Sequence, residues 1–280
     1  VSRRRRPTLS LWSVSFTDTT SSRQGNSGMK NWRLIEGSRF RTLRNFARRL
    51  RDFWCWDENR RHSWSQEGED CVLERIFERQ RDGFYVDVGA HHPTRFSNTY
   101  LFYRKGWSGI NIDAKPGSMK AFQDVRPRDT NIEAGVHERS GTLDYYIFNE
   151  PALNGFSGEL SAERHRAASP YRITQVIPVS VEPLHTLLSQ ANCPREIDFL
   201  TVDTEGLDLA VLKSNNWDSY RPKVVLVEVL ESSIETLGGT SISQFLSLRG
   251  YRVYAKLFNT AIFLSEEFES SRLGTAGSGH

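Results

Sequence analysis

The stretch Phe84-Tyr-Val-Asp-Val-Gly-Ala-His-His-Pro93, answered downstream by Gly109-Ile-Asn-Ile-Asp113, decides the fold. Phe84–Val88 reads as a buried strand carrying Asp87. A turn with a single glycine follows, then a helix, then a second strand closing on Asp113. An acidic residue at the end of such a second strand is placed to accept hydrogen bonds from ribose hydroxyls, and the glycine turn lets a ligand approach the backbone. The unit is the layout of a nucleoside-type cofactor site.

Outward from this unit the chain alternates helices and strands. Helices are predicted over Glu69–Arg79, Ser97–Lys105, Ser118–Val125, Glu182–Gln190, Leu207–Ser214 and Ile242–Leu248. Strands are predicted over Gly109–Asp113, Thr130–Val136, Asp198–Val202 and Lys223–Val229, with an extra strand over Gly141–Phe148 and a closing hairpin from Tyr251–Tyr254 and Thr260–Leu264. Residues 149–175 read as an irregular polar loop, and a loop of that length is uncommon unless functional. Continuous apolar strands such as Val224-Val-Leu-Val227 are expected where helices cover both faces of a sheet. The expected fold is α/β: a doubly wound, mainly parallel sheet with an antiparallel C-terminal edge.

The net charge of +3 conceals a division. Residues 1–61 hold 15 Lys/Arg against 5 Asp/Glu, a charge of +10, whereas the other 219 hold 22 against 29, or −7. Residues 1–37, rich in Ser, Thr, Arg and Gly without apolar periodicity, read as a disordered basic tail. Val1 is not methionine and Met29 opens a more ordered-looking stretch, so residues 1–28 are read as a product of start-site assignment. Within 38–61, Phe40, Leu43, Ala47, Leu50 and Trp54 recur at helical spacing and six arginines surround them, a basic amphipathic helix over 38–56. Its two readings are a helix packed on the domain with solvated arginines, and a peripheral contact with a membrane surface or acidic partner. Nucleic acid is not an expected partner, because the acidic body would repel phosphates. The domain is expected over 62–268, with a disordered tail at 269–280.

No apolar run approaches the roughly 20 residues that span a bilayer, and Thr8–Thr20 is too polar for the core of a signal peptide. Cys55, Cys71 and Cys193 are far apart and without CxxC spacing, which argues for neither a zinc site nor a disulfide framework and fits a cytoplasmic location. Hydrophobic and charged fractions of 38% and 25% are those of a globular protein.

Ligands of open α/β sheets bind beyond the carboxyl ends of the strands. Acidic residues stand at five expected strand ends: Asp87, Asp113, Glu133, Asp203 and Glu228. The turn lacks the GxGxxG that brings a pyrophosphate onto a helix N-terminus. That favours an adenosine ligand without phosphates over a nicotinamide dinucleotide.

Six segments, Ser65-Gln-Glu-Gly-Glu-Asp70, Gly83–Pro93, Ser97-Asn-Thr99, Gly106-Trp-Ser-Gly-Ile-Asn-Ile-Asp113, Asp198-Phe-Leu-Thr-Val-Asp-Thr-Glu-Gly206 and Arg221-Pro-Lys-Val-Val-Leu-Val-Glu228, resemble in order those of the FkbM-type S-adenosylmethionine-dependent methyltransferases. The resemblance covers residues 64–266. It implies a seven-stranded class I methyltransferase (Rossmann-like) sheet, S-adenosylmethionine as cofactor, and methylation of a hydroxyl on a sugar, glycan or natural product. Carried over by position, Asp87, Gly89 and Ala90 would line the methionine and ribose portion of the cofactor and Asp113 would bind the ribose hydroxyls. Glu69 and Asn98 would hold its amino-acid end, and Glu133 could reach the adenine. His91 and His92 depart from the pattern, since many relatives carry Asn at the position of His91. Each could orient cofactor, act as a base or cap the turn; His91 is placed with the cofactor residues and His92 with the catalytic ones.

The resemblance makes Asp203 and Glu205 the expected centre of the chemistry, because the strand they follow, Asp198–Val202, would face the methyl acceptor. Two carboxylates with one residue between them can raise one another's pKa, so one could take the acceptor's hydroxyl proton. Two carboxylates with no third ligand do not make a metal site, and no metal is expected. The loop 149–175 is the expected place of acceptor recognition. A non-catalytic cofactor-binding scaffold and a nicotinamide-dependent oxidoreductase are the competing readings.

Overall fold

A computed structural model describes residues 61–166, 170–230 and 232–276. The expectations for residues 1–37 and for the basic helix 38–56 lie outside the described residues.

The opening unit folds as read: β1 (Phe84–Val88), α1 before it (Glu69–Ile76), α2 after it (Tyr100–Arg104), then β2 (Ser108–Asp113) and α3 (Met119–Val125). With β3 (Thr130–Glu133), β7 (Phe199–Val202), β8 (Val224–Glu228), β9 (Tyr251–Lys256) and β10 (Thr260–Ser265) these strands make a seven-stranded sheet ordered β3-β2-β1-β7-β8-β10-β9. Five strands run parallel; β10 is antiparallel to β8 and β9 to β10, the C-terminal edge expected from the sequence. The order reverses between β1 and β7. Chain connections therefore leave in opposite directions there, and a crevice opens at the carboxyl ends of these two strands.

Alternation along the strands builds two cores. Val86, Val88, Ile110, Ile112, Leu200, Val202, Val225 and Val227 bury on one face, with α5 (Leu184–Gln190), α6 (Asp208–Lys213) and α8 (Ser241–Ser247) supplying its cover. Tyr85, Phe199, Val224, Leu226, Ile262 and Leu264 bury on the other, packed with Leu73, Ile76, Phe77, Phe102 and Trp107. On this second face the apolar residues give way to Asp87, Asn111, Thr201 and Glu228 toward the carboxyl ends. The period of two thus gathers the polar groups on one side of the sheet's functional end.

Residues expected as one strand, Thr130–Val136, divide. β3 stays in the main sheet, while β4 (Gly135–Val136) enters a separate sheet ordered β4-β6-β5, with β5 at Gly141–Phe148 and β6 at Ile173–Glu182. β6 was not expected, because Pro178 interrupts its alternation. The proline is tolerated where β6 pairs with β5 alone: Pro178 opposes Asp144, and β4 reaches only Val181 and Glu182. The expected loop 149–175 also carries structure, a 3-10 turn at Pro151–Leu153 and α4 (Gly158–Arg166). α7 (Ile234–Leu237) was likewise unforeseen; Ser233 and Thr236 close it with a capping box.

The expected C-terminal tail is a helix as far as Ala276: α9 spans Glu266–Ala276. Glu266, Glu267 and Glu269 stand in its first turn, Ser265 Oγ accepts from Phe268 N, and the Phe268 ring stacks on Phe77 at 5.6 Å. Among the described residues no helix is long and apolar enough to cross a membrane.

Candidate active site

A cavity of about 470 Å³ lies at the carboxyl ends of β1, β2, β7 and β8, roofed by the second sheet. Its floor is the β1 turn. Gly89 takes φ +82°, a conformation that disfavours any side chain, and its N–H and that of Ala90 donate to Ile112 O. Asp113 closes β2 and accepts from His91 N and Lys115 N, both at 2.9 Å. Ile112, Ala134, Val136, Tyr145 and Phe156 give the adjacent wall its apolar character.

Behind the turn stands a buried guanidinium. Arg126 donates to Ser97 Oγ, Thr99 Oγ1 and Asn111 Oδ1, and Thr99 Oγ1 in turn donates to Asp87 at 2.7 Å. Burial pushes Asp87 up to about 6, against the pull of Arg126 and the Thr99 bond. Asp87 is therefore a structural anchor of the turn, off the cavity wall. Ala90 is off it too, buried against Met119 and Phe122. Neither side chain borders the cavity, whereas the left-handed Gly89 does.

Gly89, His91, His92, Asp113, Asp203 and Glu205 do line the cavity. Glu69 and Asn98 instead border a polar side cavity of about 20 Å³, together with Glu67, Thr201, Asp203 and Glu228. There Glu69 accepts from Thr260 Oγ1, and Asn98 Nδ2 donates to Thr201 Oγ1. Glu133 accepts from Gly117 N and reaches neither cavity.

The histidines divide by geometry. His92 Nδ1 accepts from Thr94 N and Arg95 N, so its lone pair caps the turn and the neutral ring carries its proton on Nε2. That arrangement leaves Nδ1 occupied as an acceptor. His91 holds φ +53°, and burial lowers the pKa of both rings.

Glu205 helps to raise the pKa of Asp203, as expected of two carboxylates so close in the chain, but its own partner is a cation. Glu205 turns to Arg164 of α4 at 2.5 Å, and the cation opposes the upward push of burial on its carboxyl. Asp203 lines the cavity and is exposed. Burial raises its pKa well above the ordinary range, with Glu228 the largest charged contributor. Glu228 itself is pushed up to about 8 by burial and by Glu205 and Asp208. Arg164 and Glu228 were missed as site residues. Nothing local marks Arg164, whereas Glu228 had been visible as an acidic strand end.

The Methyltransferase FkbM domain model matches residues 87–253, more than half of the chain. The chain belongs to the FkbM methyltransferase family. No curated protein matches its sequence. Among solved structures it is similar to a TehB-like SAM-dependent methyltransferase from Corynebacterium glutamicum, at 12% identity and TM-score 0.35, over 80% of this chain and 97% of that one. It is also similar to precorrin-6y C5,15-methyltransferase from Geobacter metallireducens, at 13% identity and TM-score 0.35, over 69% and 84%. At these scores neither likeness bears on substrate or mechanism.

Membership of the FkbM family implies S-adenosylmethionine, and the residues present fit it. Among the described residues, two buried polar atoms on the cavity wall, Ser118 Oγ and Glu228 Oε2, have no hydrogen-bond partner. Unsatisfied donors and acceptors of this kind are costly unless a ligand or water completes them. Asp113 offers carboxylate oxygens at one end of the cavity, Ile112, Val136 and Phe156 an apolar wall, and Asp203 with Glu228 an acidic one. A cavity of this size also falls within the range for a cofactor-sized ligand.

Proposed function

We propose that this FkbM-family protein transfers a methyl group from S-adenosylmethionine to a hydroxyl oxygen of a sugar, glycan or natural product, with Asp203 as the base. The carrying observation is Asp203: it lines the cavity at the end of β7 together with Asp113, and the pKa of its carboxyl is raised. The cofactor, when bound, supplies an electrophilic methyl group on a sulfonium.

The chain's own residues do the rest. Asp113 and the Gly89 turn fix the cofactor end of the cavity. Asp203 accepts the hydroxyl proton as the oxygen attacks, and its raised pKa favours that transfer at neutral pH once a cation has ionised it. Alignment of the attacking oxygen supplies much of the acceleration. That alignment falls to the segment Pro151–Phe156 and to Arg164, which line the same cavity. The Arg164–Glu205 pair offers both a donor set and an acceptor for hydroxyls, in keeping with a polyhydroxylated acceptor.

Calorimetric titration with S-adenosylmethionine, S-adenosylhomocysteine and NAD tests the cofactor. Binding of the two sulfur nucleosides and not NAD is expected; NAD binding in their place overturns the reading. A mass-shift screen over glycosides and hydroxylated natural products tests the acceptor: a gain of one methyl on a hydroxyl supports it, and methylation only at nitrogen or carbon refutes it.

A further inference from the structure

We infer that Asp203 and Glu228 form a proton-sharing pair that exchanges its proton against the positive charge of the sulfonium cofactor. The inference rests on the S-adenosylmethionine reading above. β7 and β8 are parallel neighbours in the register Phe199↔Val224 through Val202↔Val227. One further step of that register sets Asp203 opposite Glu228. Neighbouring strands lie about 4.8 Å apart, and residues in register point to the same face. Both side chains border the main cavity and the small one beside it. Among the described residues the buried Glu228 Oε2 has no hydrogen-bond partner.

The surroundings do not neutralise the pair. Glu205 and Asp208 face it from the β7–α6 turn and α6, Asp87 from β1, and Glu67 and Glu69 from the start of α1. Asp208 is held by Thr204 N and Gly206 N, and Glu67 by Asn259 N and Thr260 N. The cations nearby are committed: Arg164 to Glu205, and Lys256 Nζ to the carbonyls of Leu257 and Phe258. Two carboxylates on neighbouring strands, with no uncommitted cation beside them, disfavour double ionisation, so the pair retains a proton.

A sulfonium entering beside the pair supplies the missing positive charge, and the proton leaves to solvent. The side cavity, with room for about one water molecule, lies on the way to the exposed Gln66. During transfer the carbon–oxygen bond forms and the methyl–sulfur bond breaks with its electron pair going to sulfur. Sulfur becomes neutral as the hydroxyl proton passes to the pair. The charge of the site is therefore the same before and after the reaction. The neutral thioether product then faces a pair that has regained its proton and carries a single negative charge.

The test is calorimetry on the full chain in two buffers of different ionisation enthalpy. The probes are S-adenosylmethionine and S-adenosylhomocysteine, which differ in charge only at sulfur. The sulfonium should release about one proton more per site than the thioether, and its affinity should climb by up to about tenfold per pH unit before levelling off. Glu228→Gln and Asp203→Asn should each abolish that difference, with retained thioether binding reporting an intact fold. Equal proton counts for the two probes in wild type, or a difference that survives in both variants, overturns the inference. Binding of neither probe overturns the cofactor reading itself, a separate result from equal counts.

Discussion

A Cβ placed on Gly89 would lie 1.7 Å from the carbonyl oxygen of Asp203. The turns after β1 and β7 are thus in contact at the switch point, and the residue between them can carry no side chain. Gly89→Ala combines this collision with a strained φ of +82°. It should cost at least about 2 kcal/mol of stability, read as a shifted denaturant midpoint, and abolish S-adenosylmethionine binding. A variant with the wild-type midpoint would show that the turns are not packed this way.

Asp113 accepts two backbone N–H groups and has oxygen lone pairs to spare for a diol. Asp113→Ala should weaken cofactor binding by about 1–3 kcal/mol, the range for hydrogen bonds to a charged group. Calorimetric affinity within experimental error of wild type removes Asp113 from the ribose site.

Arg126 is buried and holds Ser97, Thr99 and Asn111 at once, with Asp129 at 3.9 Å. Arg126→Met leaves Asp87 and Asp129 buried without their cation and should cost about 3–5 kcal/mol. Arg126→Lys should not restore the loss, because an ammonium cannot reproduce the fork of donors. Thermal unfolding of the two variants checks both statements.

Asp203→Asn should lower turnover on any hydroxyl acceptor found by the mass-shift screen, while cofactor affinity near neutral pH stays within a few-fold. Steady-state kinetics and calorimetry together decide it. A variant as fast as wild type eliminates Asp203 as the base.

Stability should fall as pH rises from about 6.5 to about 8. Glu228 is raised from 4.5 to about 8 in the folded protein, and Asp203 is raised as well. The folded state then binds more protons than the unfolded one, so the free energy of unfolding decreases with pH across that interval. His91 and His92, lowered by burial, act in the opposite sense only below their ordinary value of 6.5. Melting temperatures of the cofactor-free protein should show the decline, and Glu228→Gln should flatten it. A slope unchanged by that substitution places the titration elsewhere.

Local pattern determined the parallel sheet, the β1 turn and Asp113. Apolar alternation, a glycine turn and a strand-end carboxylate are properties of neighbours in the chain, and burial of the apolar face leaves them one arrangement. The residue at each strand end was legible for the same reason. Tertiary structure alone decided which carboxylates meet. Asp203 and Glu205 are two residues apart in the chain, but the left-handed backbone at Glu205 (φ +53°) carries its side chain to Arg164. Glu228 comes to Asp203 from 25 positions away, because β8 lies beside β7 in register. The same distinction explains β6, whose Pro178 reads as a break until one sees that its outer edge is open there. Charge interactions fall off with distance in space, so the chemistry of the site belongs to strand pairing and not to spacing along the sequence.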